Sequence, residues 1–202
     1  MEVHNITEWA DTFTSNAWLA VGENDVLIDA GSADPEETVE RIRNHSDSLD
    51  AVVLTHQHGD HVGSLDAVLE AFDAPLYAHD DHPRRDKVLD AGDEIGIGDE
   101  NCEVVYTPGH AKDHISLVGE SSVFTGDVVV YNDEAFDDGS FGRTDMPGQS
   151  REELIESVRR LLDSLPETVD AMYAGHGDAY EGDVGAVVER ALERAERREP
   201  KY

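Results

Sequence analysis

The feature that most constrains the fold of this chain is an alternation of short apolar runs with longer amphipathic segments. Runs that read as buried strands occur at Val26–Ile28, Ala51–Leu54 and Val169–Ala174. Segments with apolar residues at helical spacing extend from His61 to Phe72 and from Val184 to Ala195. This alternation predicts an α/β fold in which helices cover sheets, and it leaves open whether there is one sheet or two.

Two further helices have recognisable start signals. Asp34 and Ser150 are each followed three positions later by a glutamate, and Pro35 suits the first helical position. We therefore predict that Asp34 and Ser150 are N-caps. The remaining predicted strands are Ala17–Val21, Pro75–Ala78, Glu103–Tyr106 and Ser122–Thr125.

The chain shows no internal repeat and no low-complexity linker, so we expect a single domain over residues 1–202. The stretch Asp133–Gly148 is acidic and rich in glycine, which predicts a long loop. Long loops in compact domains often carry function.

The charge of the chain disfavours two classes of partner. Aspartate and glutamate number 46 against 15 lysines and arginines, which gives a net charge of -31. Binding to nucleic acid through a basic face is therefore disfavoured, and so is a polybasic membrane anchor. The acidic residues are spread along the whole chain, which favours a salt-adapted, halophilic surface over a docking surface for a basic partner.

Other features lead us to expect a cytoplasmic location and limit the chemistry of the chain. No apolar run approaches the ~20 residues that span a bilayer, and the start of the chain does not resemble a secretory signal. Cys102 is the only cysteine, which excludes an intramolecular disulfide and a metal site built from several cysteines. We expect Cys102 to be a small core residue.

A cluster of histidines follows the predicted strand Ala51–Leu54 directly. His56, His58, Asp60 and His61 lie within six residues. Neutral imidazole nitrogens and carboxylate oxygens suit zinc and similar divalent metals, and a bound cation would relieve repulsion within so dense a cluster. The pattern predicts a metal site at the end of this strand.

Three later strand ends carry the same kinds of side chain. His110 follows Thr-Pro-Gly, Asp127 follows Thr-Gly, and His176 stands between two glycines. In each case the preceding glycine is expected to allow a tight turn. Each segment alone is a weak signal, but loops at strand ends can converge on one site.

Together these segments resemble the metallo-β-lactamase superfamily, in the same order along the chain. The resemblance implies a four-layer αββα sandwich with two metal ions. It assigns His56, His58 and His110 to the first metal, Asp60, His61 and His176 to the second, and Asp127 to both, with Asp29 supporting a ligand. Zinc is expected, and iron or manganese also suit these ligands.

The segment Gly142–Gly148 is similar to the glyoxalase II-like group, which hydrolyses thioesters. The resemblance implies a small thioester substrate, a metal-bridging hydroxide as nucleophile, and Asp60 orienting that hydroxide and accepting its proton. Arg143 would either hold a substrate carboxylate or pair with an acid such as Asp145. Only 26 residues follow His176, so we expect the helical domain of full-length glyoxalase II to be absent and glutathione to be one of several possible thiols.

Two other interpretations stay open from the sequence. Persulfide dioxygenases share the Gly-Arg-Thr-Asp element and use one iron, for which His56, His58, His110 and Asp127 are the candidate ligands. A protein that keeps its metals for stability alone is the third interpretation, and the complete ligand set argues against it.

Overall fold

A computed structural model describes residues 1–133 and 135–199 of the chain. It divides into two compact units, each with its own core. The first unit comprises Met1–Leu89 and Glu94–Cys102, and the second comprises Asp90–Asp93 and Glu103–Tyr202. Glu134, within the predicted acidic loop, lies outside the described residues.

The first unit is built on a mixed six-stranded sheet whose strands follow chain order. The first three strands pair antiparallel, and the third to sixth pair parallel. The strands are β1 (Glu2–Asn5), β2 (Trp18–Val21), β3 (Val26–Ile28), β4 (Ala51–Val53), β5 (Leu76–Ala78) and β6 (Arg85–Val88). Its helices are α1 (Pro35–Arg43), α2 (Gly59–Val62) and α3 (Leu65–Phe72), and apolar side chains from strands and helices form one buried core.

The predicted N-cap of α1 is confirmed. The Asp34 carboxylate accepts a hydrogen bond from the backbone N–H of Glu37 at 3.0 Å, and Pro35 occupies the first helical position. The apolar face of the helix then buries Val39 and Ile42 in the core.

The helix predicted from His61 to Phe72 is confirmed over α3, Leu65–Phe72, but not as one continuous helix, because His61 and Val62 belong to the separate helix α2. In a continuous helix the N–H of Ser64 would bond to the carbonyl of Asp60. Instead the Ser64 N–H donates to the carbonyl of Gly31 at 3.0 Å, and the Asp60 carbonyl accepts from Ser15 at 3.2 Å. Contacts with residues distant in the chain therefore break the helix.

A second six-stranded sheet has the order β12-β11-β10-β9-β8-β7. Strand β7 (Glu94–Ile97) and the start of β8 (Glu100–Tyr106) belong to the first unit, and β8 continues into the second. The remaining strands are β9 (Ile115–Val118), β10 (Ser122–Gly126), β11 (Ala171–Ala174) and β12 (Tyr180–Glu181). Strand β10 pairs parallel to β11 and antiparallel to β9, so this sheet is also mixed.

Two helices complete the second unit. They are α4 (Arg151–Ser164) and α5 (Val184–Glu196), and their apolar faces share a core with the strands. The predicted cap of α4 is confirmed, since Ser150 Oγ accepts from the N–H of Glu153 at 3.2 Å. Among the described residues, no helix combines the length and apolar character needed to cross a bilayer.

Candidate metal site

The seven predicted metal ligands divide between the two units. The first unit contains His56, His58, Asp60 and His61, and the second contains His110, Asp127 and His176. In the first set a carboxylate outside the ligands orients the histidines, whereas in the second set the carboxylate is itself a predicted ligand.

In the first unit, Asp29 organises the segment that follows β4. Its carboxylate accepts hydrogen bonds from the Thr55 backbone N–H at 2.8 Å, from Thr55 Oγ1 at 2.7 Å and from His61 Nδ1 at 2.8 Å. Asp29 itself has a left-handed backbone with φ of 59°. Aspartate tolerates this conformation better than most residues, so the backbone can adopt it while the carboxylate bonds to Thr55 and His61.

These bonds set the ring orientation of two histidines. Because a carboxylate only accepts, His61 donates from Nδ1, and Nε2 is the ring nitrogen that carries a lone pair. This Nε2 lies 4.0 Å from Asp60 Oδ2. Thr55 Oγ1 donates to Asp29 and so accepts from His56 Nδ1 at 3.1 Å. The predicted supporting role of Asp29 is thus present in the hydrogen bonds of this unit.

The nitrogen donors of the first set suit a divalent cation. His56 Nε2 lies 3.0 Å from His58 Nδ1, and the ligand atoms of His56 and His61 lie within 4.8 Å of each other. His56 and His61 are almost fully buried. Buried imidazoles with their second nitrogen fixed by a carboxylate or hydroxyl are typical of metal ligands.

In the second unit, one carboxylate oxygen lies between two histidines. Asp127 Oδ2 is 3.3 Å from His110 Nε2 and 3.5 Å from His176 Nε2. Asp127 follows β10 and His176 follows β11, which pairs parallel to it, so both residues lie at the same end of their strands. Two imidazoles and a buried carboxylate are a donor set suited to zinc, iron or manganese.

The second nitrogen of His110 is also fixed. His110 Nδ1 donates to the backbone carbonyl of Arg143 at 2.9 Å, which leaves the Nε2 lone pair for a metal. His114 is used differently, because its Nε2 accepts from the backbone N–H of Asp127 at 2.9 Å and its Nδ1 contacts Thr107 Oγ1 at 2.8 Å. Both ring nitrogens of His114 therefore support the strand ends.

Glycines allow the backbone around this second set to pack closely. A Cβ on Gly142 would lie 2.2 Å from the carbonyl oxygen of Asp127 and 2.8 Å from His110 Nδ1. Gly109 has φ of 130°, and its Cβ would meet the backbone of Leu154 at the start of α4. The role of Gly142 was not predicted, although it opens the Gly-Arg-Thr-Asp element.

The predicted glycine turns are confirmed before two of the three residues. Gly109 and Gly126 have positive φ, at 130° and 51°. The chain also bends at Gly175, before His176, but the positive φ is at Gly177, with a value of 79°. A Cβ on Gly177 would lie 2.0 Å from the carbonyl oxygen of Tyr131, so the close approach follows the histidine.

The guanidinium of Arg143 pairs with Asp145. Arg143 Nε and Nη2 donate to the two carboxylate oxygens of Asp145, each at 2.9 Å. These hydrogen bonds hold the pKa of the Asp145 carboxyl below its ordinary value. The structure therefore contains the pairing expected in one of the two interpretations of Arg143, and the carbonyl of Arg143 contacts a predicted ligand.

Cys102 takes no part in this chemistry. It is buried in the first unit, and burial together with the charge of Glu100 raises the pKa of its thiol to about 12. The thiol is therefore neutral at physiological pH and unsuited to act as a nucleophile.

Comparison with known proteins points to one superfamily. The family model described as the metallo-beta-lactamase superfamily matches residues 10–87 and 77–176. The probable metallo-hydrolase YqgX of Bacillus subtilis is 28% identical over 185 residues, which cover 81% of this chain and 85% of that protein. The hydroxyacylglutathione hydrolase of Aeromonas salmonicida is 39% identical over 123 residues, which cover 58% of this chain and 48% of that relative, so the match spans about half its length.

Solved structures with the same fold confirm the predicted fold class. ETHE1 from Myxococcus xanthus has a TM-score of 0.76 at 22% identity, with 99% of this chain and 92% of that chain covered. The B3 metallo-beta-lactamase BLEG-1 has a TM-score of 0.73 at 26% identity, with coverages of 89% and 94%. TTHA1623, solved in a di-iron-bound form, has a TM-score of 0.69 at 29% identity, with coverages of 88% and 93%.

Proposed function

The chain belongs to the metallo-β-lactamase superfamily, and from this premise we propose that it is a metal-dependent hydrolase of small thioesters, similar to glyoxalase II. The observation that carries the proposal is the position of Asp127 Oδ2, 3.3 Å from one histidine and 3.5 Å from another. A carboxylate oxygen between two imidazoles suits a ligand shared by two cations. The hydroxyacylglutathione hydrolase relatives support thioesters as the substrate class.

We propose that the two sets of ligands hold two divalent cations. In this assignment the first cation takes His56, His58 and His110, the second takes Asp60, His61 and His176, and Asp127 serves both. The nitrogen and oxygen donors favour zinc, and iron and manganese also suit them. When bound, such a pair of cations supplies a hydroxide near neutral pH and polarises the thioester carbonyl.

The side chains of the chain would then control orientation and proton transfer. Asp60 would orient the attacking hydroxide and accept its proton. The hydrogen bonds that His61 donates to Asp29 and His56 donates to Thr55 would keep these two histidines in the neutral tautomers that a cation needs. Arg143 would bind a substrate carboxylate only by exchanging its present partner, Asp145, for the substrate.

The test of this function is metal analysis of the purified protein followed by a panel of thioesters. We expect two metal ions per chain and release of free thiol from at least one thioester. Asp127→Ala should lower metal content and abolish turnover, whereas Asp163→Ala, on the exposed face of α4, should retain both. A fully loaded and active Asp127→Ala variant would contradict the shared-ligand assignment.

A second candidate function is that of a mononuclear iron persulfide dioxygenase. Its expected ligands are His56, His58, His110 and Asp127, and Asp127 Oδ2 lies 3.3 Å from His110 Nε2. Histidines with one carboxylate are the type of ligand set that non-haem iron oxygenases use. One iron per chain and oxygen consumption that depends on persulfide would replace the hydrolase proposal. Two metals per chain without oxygen uptake would exclude the dioxygenase.

We also propose that the acidic surface is an adaptation to high salt. A net charge of -31 causes self-repulsion in the folded state, and salt screens it. The thioester assays should therefore be run at molar salt as well as at low ionic strength. A protein that is equally stable in both conditions would contradict the adaptation.

A further inference from the structure

Helix α5 holds a segment of the long loop, residues 136–143, through two arginines, of which Arg194 makes three contacts. Arg194 Nη2 lies 2.7 Å from Asp138 Oδ1, and another of its nitrogens donates to the carbonyl of Gly139. The guanidinium also lies over the ring of Phe136, 4.1 Å from its centroid. Arg190 adds a second ion pair to Asp138 at 2.5 Å.

The middle of this segment is packed tightly. A Cβ on Gly139 would lie 2.8 Å from the carbonyl oxygen of Val187, so the backbone touches α5 directly. Ser140 exchanges two backbone hydrogen bonds with Val130, at 2.9 and 3.0 Å. Phe141 is fully buried in the core of the second unit. These contacts fix the backbone path of the segment between Asp138 and Gly142.

The far end of the segment touches two of the proposed ligands. The N–H of Gly142 donates to the carbonyl of Asp127 at 2.7 Å. The carbonyl of Arg143 accepts from Nδ1 of His110 at 2.9 Å. Both contacts use backbone atoms of the segment, so they depend on its path.

We propose that Arg194 is a positioning residue for the metal site, acting through the 136–143 segment on His110 and Asp127. The inference rests on the proposed function, since it requires these two residues to be ligands. It adds a requirement outside the ligand set, because it makes metal affinity depend on a side chain of the last helix.

Arginine is suited to this role because one planar guanidinium makes all three contacts. Lysine has a single charged group and cannot form the ion pair, the carbonyl bond and the ring contact together. The Arg194 side chain is only 14% exposed, whereas that of Asp138 is 48% exposed, so the arginine is largely buried beneath a partner that solvent still reaches. The hydrogen bond from Arg194 also holds the pKa of the Asp138 carboxyl below its ordinary value.

The test measures Zn²⁺ affinity of the full chain by competition with a chromophoric chelator. We expect Arg194→Gln to weaken Zn²⁺ binding by about tenfold or more, Asp138→Asn to weaken it in the same direction, and Arg194→Lys to recover only part of the loss. Hydrogen exchange at the Gly142 amide should accelerate in Arg194→Gln. The matched control is Arg197→Gln, because Arg197 is the C-cap residue of the same helix, is 66% exposed and pairs with Glu193.

The outcomes separate this inference from the proposed function. If His110→Ala leaves Zn²⁺ affinity unchanged, the metal assignment fails and the inference fails with it. If His110→Ala abolishes binding while Arg194→Gln and Asp138→Asn both stay within about twofold of the parent, only the positioning role is overturned. Should Arg194→Gln not fold, the half-exposed Asp138→Asn variant decides the question by the same criterion.

Discussion

Nδ1 of His61 donates a hydrogen bond of 2.8 Å to Oδ2 of Asp29, 32 positions earlier in the chain. The same carboxylate also accepts from the backbone and hydroxyl of Thr55. One buried acid thus fixes the end of β4 and the tautomer of a proposed ligand. Stability and metal affinity should therefore change together when this acid is altered.

Asp29→Asn tests that coupling. Asparagine tolerates the left-handed backbone but presents one acceptor oxygen in place of two, so one of three donors loses its partner. We expect Zn²⁺ affinity to fall by about 10- to 100-fold and the free energy of unfolding to fall by about 1–3 kcal/mol. Chelator competition and urea unfolding measure the two effects.

The control for Asp29→Asn is Asp73→Asn. Asp73 is also left-handed, with φ of 49°, but it is exposed at the end of α3. If both substitutions have the same small effect, the three hydrogen bonds at Asp29 do not support the ligands.

Gly142→Ala should displace His110 and Asp127 of the second ligand set through a steric clash. The added Cβ would lie 2.2 Å from the Asp127 carbonyl and 2.8 Å from His110 Nδ1, and both neighbours are buried. We expect a loss of about 1–3 kcal/mol in unfolding free energy, together with weaker Zn²⁺ binding. The matched substitution Gly185→Ala meets only ordinary contacts inside α5 and should stabilise the chain by about 0.5–1 kcal/mol. Unchanged Zn²⁺ affinity in a folded Gly142→Ala protein would argue against the close packing.

Two fully buried serines should respond oppositely to truncation. Within the residues that the structure describes, Ser140 Oγ has no hydrogen-bond partner, whereas Ser157 Oγ donates to the carbonyl of Pro108 at 2.6 Å. We expect Ser140→Ala to leave stability unchanged or raise it by about 1 kcal/mol, because it removes a buried polar group. Ser157→Ala should cost about 1–2 kcal/mol. Thermal unfolding of both variants checks this, and a larger loss at Ser140 than at Ser157 would contradict it.

Cys102 should make stability depend on alkaline pH. Its pKa is raised from 9.0 to about 12 in the folded chain, chiefly by burial. Above pH 9 the unfolded state loses a proton that the folded state keeps, so stability falls as pH rises towards 12. The contribution approaches about 1.4 kcal/mol per pH unit.

In Cys102→Ala, the free energy of unfolding should fall less steeply above pH 9 than it does in the parent. Urea unfolding of parent and variant at pH 8, 9, 10 and 11 isolates the thiol, because tyrosines and lysines titrate equally in both proteins. Identical slopes would show that the thiol ionises as readily in the folded chain as in the unfolded one.

Local chemistry made much of this structure predictable. The caps at Asp34 and Ser150 act within one helical turn, so residues close in sequence are enough to predict them. The histidines of residues 56–61 directly follow a buried strand, which made their position equally predictable. Strand β6 was not predicted because its residues are mostly exposed and polar, and only pairing with β5 makes it a strand. The break between α2 and α3 depends on bonds to Ser15 and Gly31, far along the chain.

The supporting contacts of the site were harder to predict than its ligands. Nothing near Gly142 in the sequence indicates that its missing side chain makes room for His110 and the Asp127 carbonyl. In the sequence, Arg194 is one of several charged residues on the polar face of an amphipathic helix, and only the fold shows that it pairs with Asp138. Such residues act through tertiary contacts, which periodicity and spacing do not encode.

The contacts of α5 with Asp138 and Gly139 have a consequence for protein engineering. A chimera that transplants residues 136–143 into a relative without the donor's last helix would lack the arginine anchor and the close backbone contact at Val187. Recombination between homologues should therefore tolerate crossovers that take residues 136–143 and helix α5 from the same parent. Libraries that exchange the loop as an independent cassette should yield folded chains with depleted metal.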